Sequence, residues 1–320
     1  MQKGNVMEAS KPFFKIVDEI CEEENINQKM ISYNWIRQLE KENKTHYIMS
    51  YQLDLNTANS YNIAHDKFAT YDVLKSNNVP TIEHRMIFNP KTRSKFYGEK
   101  FIEDAEKLLL ENNNKVVIKA NESCEGRDVY FCSNKQEIEK TVEKLFSENK
   151  DTLSACPYVD IDYEYRVIYL TGEILYMYKK KKASVVGDGK KTLRELINEI
   201  NVKRNINIEI IKDLDLNYIP KFNEEVYVSW KHNLYNGAVP ILVDENDEFA
   251  NKVREVALLA GKAMNINFAS IDIALTSDKK VLVMEVNGSV CMNKFSEIIP
   301  NGYDIAKNIY KKAIIKMFEN

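Results

Sequence analysis

The sequence predicts an α+β fold, and three observations lead there. Two pairs of apolar strands are separated by only a few turn residues. Glu164–Leu170 and Ile174–Tyr178 flank Thr171-Gly172-Glu173, and Phe268–Leu275 and Lys280–Val286 flank Ser277-Asp278-Lys279. That spacing is a hairpin signal and implies antiparallel pairing. Single helical patterns alternate with these strands and no internal repeat appears, which favours α+β or mixed α/β over a TIM barrel.

Element by element, Phe13, Ile16, Val17 and Ile20 share one helical face, and Ile31, Trp35, Ile36 and Leu39 predict a second helix before Glu42. His46–Tyr51 reads as a short strand and is followed by a polar link to Ala64. Residues 66–76 read as a helix stopped by Ser76-Asn77-Asn78 and Pro80. Ile82–Phe88 is a strand, Phe101–Leu110 a helix, and Val116-Val117-Ile118 and Val129–Cys132 are strands. Ser133 with Gln136 caps a helix that ends near Phe146, and Thr192-x-x-Glu195 is a capping box for a helix over Leu193–Ile200. A strand at Val226–Trp230, a long helix over Asn246–Met264 and a terminal helix over Tyr303–Met317 complete the pattern.

Composition narrows the chemistry. The 320 residues carry 45 Lys+Arg against 48 Asp+Glu, a net charge of −3. That balance gives no electrostatic reason to expect a nucleic-acid or membrane partner. The five cysteines (Cys21, Cys124, Cys132, Cys156, Cys291) are scattered without a C-x-x-C pair, and the four histidines lack metal-ligand spacing. A disulfide framework or structural zinc is therefore not expected. Residues Met1–Phe14 lack the apolar core of a signal peptide, and no window approaches the ~20 apolar residues of a membrane span. The expectation is a cytoplasmic protein.

The sharpest chemical feature is Asp272 with Glu285 and Asn287. Strand periodicity points Glu285 and Asn287 to one face and Met284 and Val286 to the other. Paired through the Ser277 turn, Asp272 can sit opposite them. Three oxygen ligands on a sheet face suit Mg²⁺ shared with phosphates, and the same pattern also fits a solvated antiparallel face. Lys119 ends an apolar strand and leads into Asn121-Glu122-Ser123-Cys124-Glu125-Gly126-Arg127, which suggests an ammonium aimed at phosphate beneath a loop. Lys67 stands at a helix start. In the run Lys179–Lys182 alternate lysines face opposite ways, so one pair reaches a ligand and the other solvent. There is no P-loop and no G-x-G-x-x-G. His232 reads either as a general base or as a simple hydrogen-bonding residue.

Taken together and in this order, these residues resemble the ATP-grasp superfamily of carboxylate–amine ligases, from about Asn56 to the C-terminus. Val117-Ile118-Lys119 and the loop to Arg127 look like that family's phosphate lysine and lid. Pro157-Tyr158-Val159 and Glu164-Tyr165-Arg166-Val167 look like its hinge and ribose-holding acid. Val185-Val186-Gly187-Asp188-Gly189-Lys190-Lys191-Thr192 is similar to a segment of cyanophycin synthetases and bifunctional glutathione synthetases. Trp230-Lys231-His232-Asn233-Leu234-Tyr235-Asn236-Gly237 resembles a loop of ribosomal-protein glutamate ligases. The chain departs from the pattern at its single-glycine lid, at Ala155-Cys156, at Lys231 in place of arginine, and at Gly288-Ser289-Val290.

The resemblance implies two α+β subdomains clasping ATP (64–155 and 156–320) after a short N-terminal domain (1–63). It implies ATP with Mg²⁺ or Mn²⁺, a metal set of Asp272, Glu285 and Asn287, and catalytic roles for Lys231, Asn233 and Arg166. Lys67, Lys119, Arg127, Pro157, Tyr158, Val159, Glu164, Lys180 and Met284 would contact the nucleotide. The implied partners are a carboxylate and an amine (amino acid, peptide or protein terminus), with a homo-oligomer left open. An ATP-grasp kinase acting on a hydroxyl and a nucleotide-binding regulatory protein remain as alternatives.

Overall fold

The computed structural model describes residues 11–92, 102–122, 128–244 and 246–319. Helix α1 (Pro12–Glu23) starts with Pro12 in its first turn, where a missing N–H leaves nothing unsatisfied. Its Phe13, Ile16, Val17 and Ile20 face is buried. The helix expected over Ile31–Leu39 is instead a hairpin of β1 (Asn27–Ile31) and β2 (Ile36–Lys41). β3 (Lys44–Met49) and β4 (Gln52–Leu53) extend it to four antiparallel strands. Ser32, Tyr33 and Asn34 adopt φ of 51°, 57° and 66°, which no right-handed helix contains. In β2 only Arg37 and Leu39 are buried, a period of two. The apolar spacing is helical, yet of Ile31, Trp35, Ile36 and Leu39 only Leu39 is buried, and the left-handed turn at 32–34 reverses the chain.

The polar link after β4 holds α2 (Ala58–His65), capped by Thr57, whose hydroxyl accepts the Ser60 N–H. α3 (Lys67–Ser76) follows at once, capped by Asp66 accepting the Ala69 N–H at 2.8 Å. Next come β5 (Arg85–Phe88), α4 (Glu103–Glu111), β6 (Val116–Ala120), β7 (Val129–Cys132), α5 (Lys135–Ser147) and β8 (Thr152–Pro157). These strands form an antiparallel sheet in the order β5-β8-β6-β7. The cap of α5 is Asn134 and not Ser133. Asn134 accepts the Glu137 N–H, while Ser133 donates its N–H and hydroxyl to the Glu137 carboxylate. α4 and α5 bury Leu108, Leu109, Ile138 and Leu145 against Ile87, Val116 and Ile118. Val117 and Cys156 lie apart from that core, beside Ile82.

β9 (Ile161–Leu170) and β10 (Glu173–Lys181) form the first expected hairpin. β11 (Ser184–Val186) then leads to α6 (Leu193–Arg204), and β12 (Glu225–Tyr227) returns to pair with β11. β13 (Val239–Leu242), α7 (Ala250–Ala263), β14 (Phe268–Thr276) and β15 (Val281–Asn287) follow, then α8 (Asn293–Ile298) and α9 (Gly302–Glu319). The central sheet has the order β13-β10-β9-β14-β15.

Its two faces have different jobs. Tyr165, Val167 and Tyr169 of β9 and Ala269, Ile271 and Ile273 of β14 pack with Val253, Val256 and Ala260 of α7. The alternate residues Ile168, Leu170 and Phe268 join a core with Phe13, Leu39, Tyr310 and Ile314. Further along that second face the side chains become polar: Glu164 and Arg166 on β9, Ser270 and Asp272 on β14, Lys180 on β10. Strand alternation thus separates the packed face from the one that carries chemistry. Among the described residues no helix is long and apolar enough to cross a membrane.

The Val185–Thr192 segment builds a turn away from that face. The Gly187 N–H donates to the Glu224 carbonyl, Asp188 accepts the N–H groups of Lys190 and Lys191, and Gly189 takes φ +73°. The expected capping box is present, with Thr192 and Glu195 satisfying each other's backbone. A Cβ at Gly187 would lie 2.2 Å from the Lys221 carbonyl oxygen, and that backbone atom cannot swing away. Gly187→Ala should therefore destabilise the protein by about 2 kcal/mol or more, read as a lower thermal midpoint. An unchanged midpoint would contradict the close approach.

Candidate functional site

The four-stranded and five-stranded sheets face each other across a pocket of about 330 Å³. Lys67 enters it from the first turn of α3 and Lys119 from β6. Pro157, Tyr158 and Val159 line it at the crossing from β8 to β9. Glu164, Arg166, Lys180, Asp272, Met284, Glu285 and Asn287 line it from the central sheet, and Lys231 and Asn233 from the loop before β13. Arg127 and lid residues 123–126 lie outside the described residues.

The register of the central sheet brings opposite charges together. Arg166 pairs across to Asp272 on one side and Tyr178 on the other, and Lys180 is opposite Glu164. Arg166 donates to both Asp272 oxygens, Nε at 2.8 Å and NH2 at 2.6 Å. Lys180 pairs with Glu164 and also reaches Asp272 Oδ1 at 3.2 Å. Burial by itself would push the Asp272 carboxyl up, but Arg166 and then Lys180 outweigh it and hold it at about 2. For Glu164 burial wins and the carboxyl is raised, although Lys180 opposes the shift.

Across the hairpin, Glu285 of β15 lies opposite Asp272 of β14, and Asn287 lies opposite Ser270. Simple alternation put Met284 on the face away from Glu285, yet both line the pocket. Asp272 pairs with Glu285 but Ile273 pairs with Val283, so Met284 is the extra residue of a bulge. A bulge re-aims side chains on both sides of it. Lys67 Nζ stands 3.5 Å from Glu285 Oε1.

Asp272, Glu285 and Asn287 offer two carboxylates and an amide oxygen, a donor set suited to a hard cation shared with phosphates. Among the described residues no three His, Cys, Asp or Glu side chains form a metal cluster. Lys231 is buried and bonds Glu209 at 2.7 Å. The Asn233 side chain accepts the Tyr235 N–H and so shapes the turn Leu234–Asn236. Of the lysine run, Lys180 and Lys182 line the pocket, while Lys179 and Lys181 bond Asp247 and Glu225 instead of lying free in solvent.

Tyr51, Cys291, Lys294 and Phe295 also line the pocket. The sequence placed Cys291 in a loop near the site but offered no local signal for Tyr51, Lys294 and Phe295, which arrive there from the β3–β4 turn and from α8. His232 is buried in the wall and its Nε2 has no partner among the described residues.

Residues 192–313 match the family model of the RimK-like ATP-grasp domain. The bifunctional glutathione synthetase of Pasteurella multocida superposes with a TM-score of 0.56 at 17% identity, over 94% of this chain and 44% of that one. The D-alanine–D-alanine ligase of Bacillus anthracis gives 0.54 at 17%, over 82% and 69%. Over residues 192–313 the chain is thus similar to RimK-like ATP-grasp domains, and its fold is like that of the two ligases. In sequence it is 24% identical over 253 residues to the glutathione biosynthesis bifunctional protein GshAB of Clostridium perfringens, and over 225 residues to that of Listeria monocytogenes. It spans 30% and 29% of those two proteins' lengths, and the alignments cover 72% and 62% of this chain. The ATP-grasp family match contains Asp272, Glu285 and Asn287, whereas Lys67, Lys119 and Glu164 lie before it.

Two buried histidines give the protein an acid-side liability. Burial, then Lys182 and Lys180, lowers His232 to about 3, and burial, then Lys119 and Lys67, pulls His84 well below its ordinary value. The unfolded chain takes up these protons near pH 6.5, and the folded chain does so only at much lower pH. Their stabilising contribution is therefore complete above about pH 6.5 and shrinks as pH falls toward 3. The thermal midpoint should decline over that range, with both ring signals unshifted by NMR between pH 8 and 5. Titration of both rings near 6.5 would refute this.

Proposed function

We propose that the protein is an ATP-dependent ligase that joins a carboxylate to an amine through an acylphosphate, releasing ADP and phosphate. The observation that carries this reading is the Asp272–Glu285–Asn287 group on one hairpin, facing a pocket that also receives Lys67, Lys119 and Lys180. Relatives named for glutathione biosynthesis and D-alanine–D-alanine ligation support amino acids or short peptides as the substrate class.

Phosphoryl transfer asks a protein mainly for positioning and charge neutralisation. Asp272, Glu285 and Asn287 would hold Mg²⁺ or Mn²⁺, which supplies charge neutralisation between the phosphates. Lys67, Lys119 and Lys180 meet phosphate oxygens. Glu164 accepts from the ribose hydroxyls, while Pro157–Val159 and Met284 flank the base. The substrate carboxylate attacks the γ-phosphorus and ADP leaves. The amine then attacks the acyl carbon, and phosphate leaves from the tetrahedral intermediate.

Arg166, released from Asp272, and Lys231 with Asn233 face the developing negative charge, where preorganised donors act most strongly. Lys231 already borders the pocket, and its pairing with Glu209 orients it.

Screening amino acids and short peptides for amine-dependent phosphate release tests the reading. Hydroxylamine in place of the amine should yield a hydroxamate from the acylphosphate; ATP turnover with none formed would point to a kinase. Glu285→Ala should lower turnover by roughly 10²–10³-fold with the circular-dichroism spectrum retained. Undiminished turnover in that variant would remove Glu285 from the metal set.

A further inference from the structure

We propose that His232 reads the nucleoside: its Nε2 accepts a hydrogen bond from an uncharged donor of the bound nucleotide, a base amino group or a ribose hydroxyl. The inference rests on the nucleotide reading above and adds to it a residue that discriminates between nucleotides.

His232 forms part of the pocket wall at 6% exposure, and Nε2 is buried without a partner among the described residues. A buried polar atom left unpaired is rare and calls for a reason. The ring is held by the backbone of Asp162. Since Nε2 is unpaired, Nδ1 makes that bond, and its N–H donates to the carbonyl. The tautomer is thereby set, and Nε2 presents a lone pair. Burial, then Lys182 and Lys180, keep the ring neutral, so it accepts and does not donate at that atom.

That chemistry selects the ligand group. Phosphate and carboxylate oxygens are themselves acceptors and would find no hydrogen here. The neighbouring lysines are engaged elsewhere, Lys180 with Glu164 and Asp272, and Lys182 with Asp160 at 3.8 Å. An N–H or O–H of the ligand remains.

Position selects which part of the ligand. Asp162 precedes Glu164 and Arg166 along β9, and Arg166 is the residue opposite Asp272. At about 3.3 Å per residue, the strand places Asp162 roughly 13 Å from the rung that carries Asp272. Its sequence neighbours in the other direction are Pro157–Val159. The loop that carries His232 is tied to that crossing by Trp230 against Tyr158, ring centres 6.0 Å apart. On the nucleotide reading, His232 therefore stands at the nucleoside end of the pocket, on the Asp162 side of Glu164 and away from Asp272 and Glu285.

The test is a set of dissociation constants, by calorimetry with Mg²⁺, for ATP, inosine triphosphate, 2′-deoxy-ATP and 3′-deoxy-ATP. Wild-type protein should bind ATP roughly 3- to 10-fold more tightly than the analogue that lacks the contacted donor, the range of a net hydrogen bond. Inosine triphosphate as that analogue identifies the base amino group, and a deoxy nucleotide identifies a ribose hydroxyl. His232→Phe should weaken ATP by the same factor and leave that analogue unchanged, while His232→Gln, which keeps an acceptor, restores part of the loss.

Equal wild-type affinity for all four nucleotides overturns the proposal whether or not a variant folds. So does equal weakening of all four in His232→Phe, which would mark a structural role. Wild-type protein that binds no nucleotide overturns both this inference and the reading beneath it.

Discussion

Four charges buried on one face of the central sheet constrain everything around them. Glu164, Arg166, Lys180 and Asp272 sit on three adjacent strands in a register that gives each an opposite-charged partner. An isolated buried charge is strongly destabilising, and a pair is tolerated only when geometry and hydrogen bonds compensate the lost hydration. The two Arg166 bonds to Asp272 meet that condition. A ligand entering this face must keep the balance, and one that brings anionic oxygens and a divalent cation together does so. On the proposed reading, the carboxylates would hold such a cation and Arg166 and Lys180 would face the anionic oxygens.

The cluster is possible because a strand alternates. Residues 165, 167 and 169 anchor β9 to α7, and that packing frees 164 and 166 to be polar. At the other end of the same face, Ile168 and Leu170 pass under the core that joins α1 and α9. One strand thus serves two cores and one site, so its position is over-determined by packing on either side of the charged residues. The bulge at Met284 performs a related service on β15, where an extra residue lets an apolar side chain and Glu285 share the pocket.

The segment that resembles cyanophycin synthetases and bifunctional glutathione synthetases, Val185–Thr192, is not among the pocket-lining residues. Its glycines and Asp188 serve backbone geometry: a close approach to Lys221, a left-handed turn at Gly189 and two N–H groups bound by one carboxylate. Similarity there reports the fold. The chemistry has to be argued from Asp272, Glu285, Asn287 and the lysines.

Local rules in the sequence were enough for the two hairpins, the Thr192–Glu195 capping box, the buried face of α1 and the pairing of Asp272 with Glu285. Each depends on residues near in sequence or on a period of 2 or 3.6, which the order of residues records directly. Tertiary structure, together with the left-handed turn at 32–34, decided that Ile31–Leu39 becomes a hairpin despite its helical apolar spacing, because Leu39 is buried in a core with the distant Phe13, Tyr310 and Ile314. It also decided which residues meet in the pocket, among them Tyr51, Lys294 and the unpaired His232. Contacts such as Phe13 N–H to Asn293, 280 residues apart, have no local trace. The entropy of closing such loops is repaid only when the whole core forms, so the site's membership is a property of the folded chain.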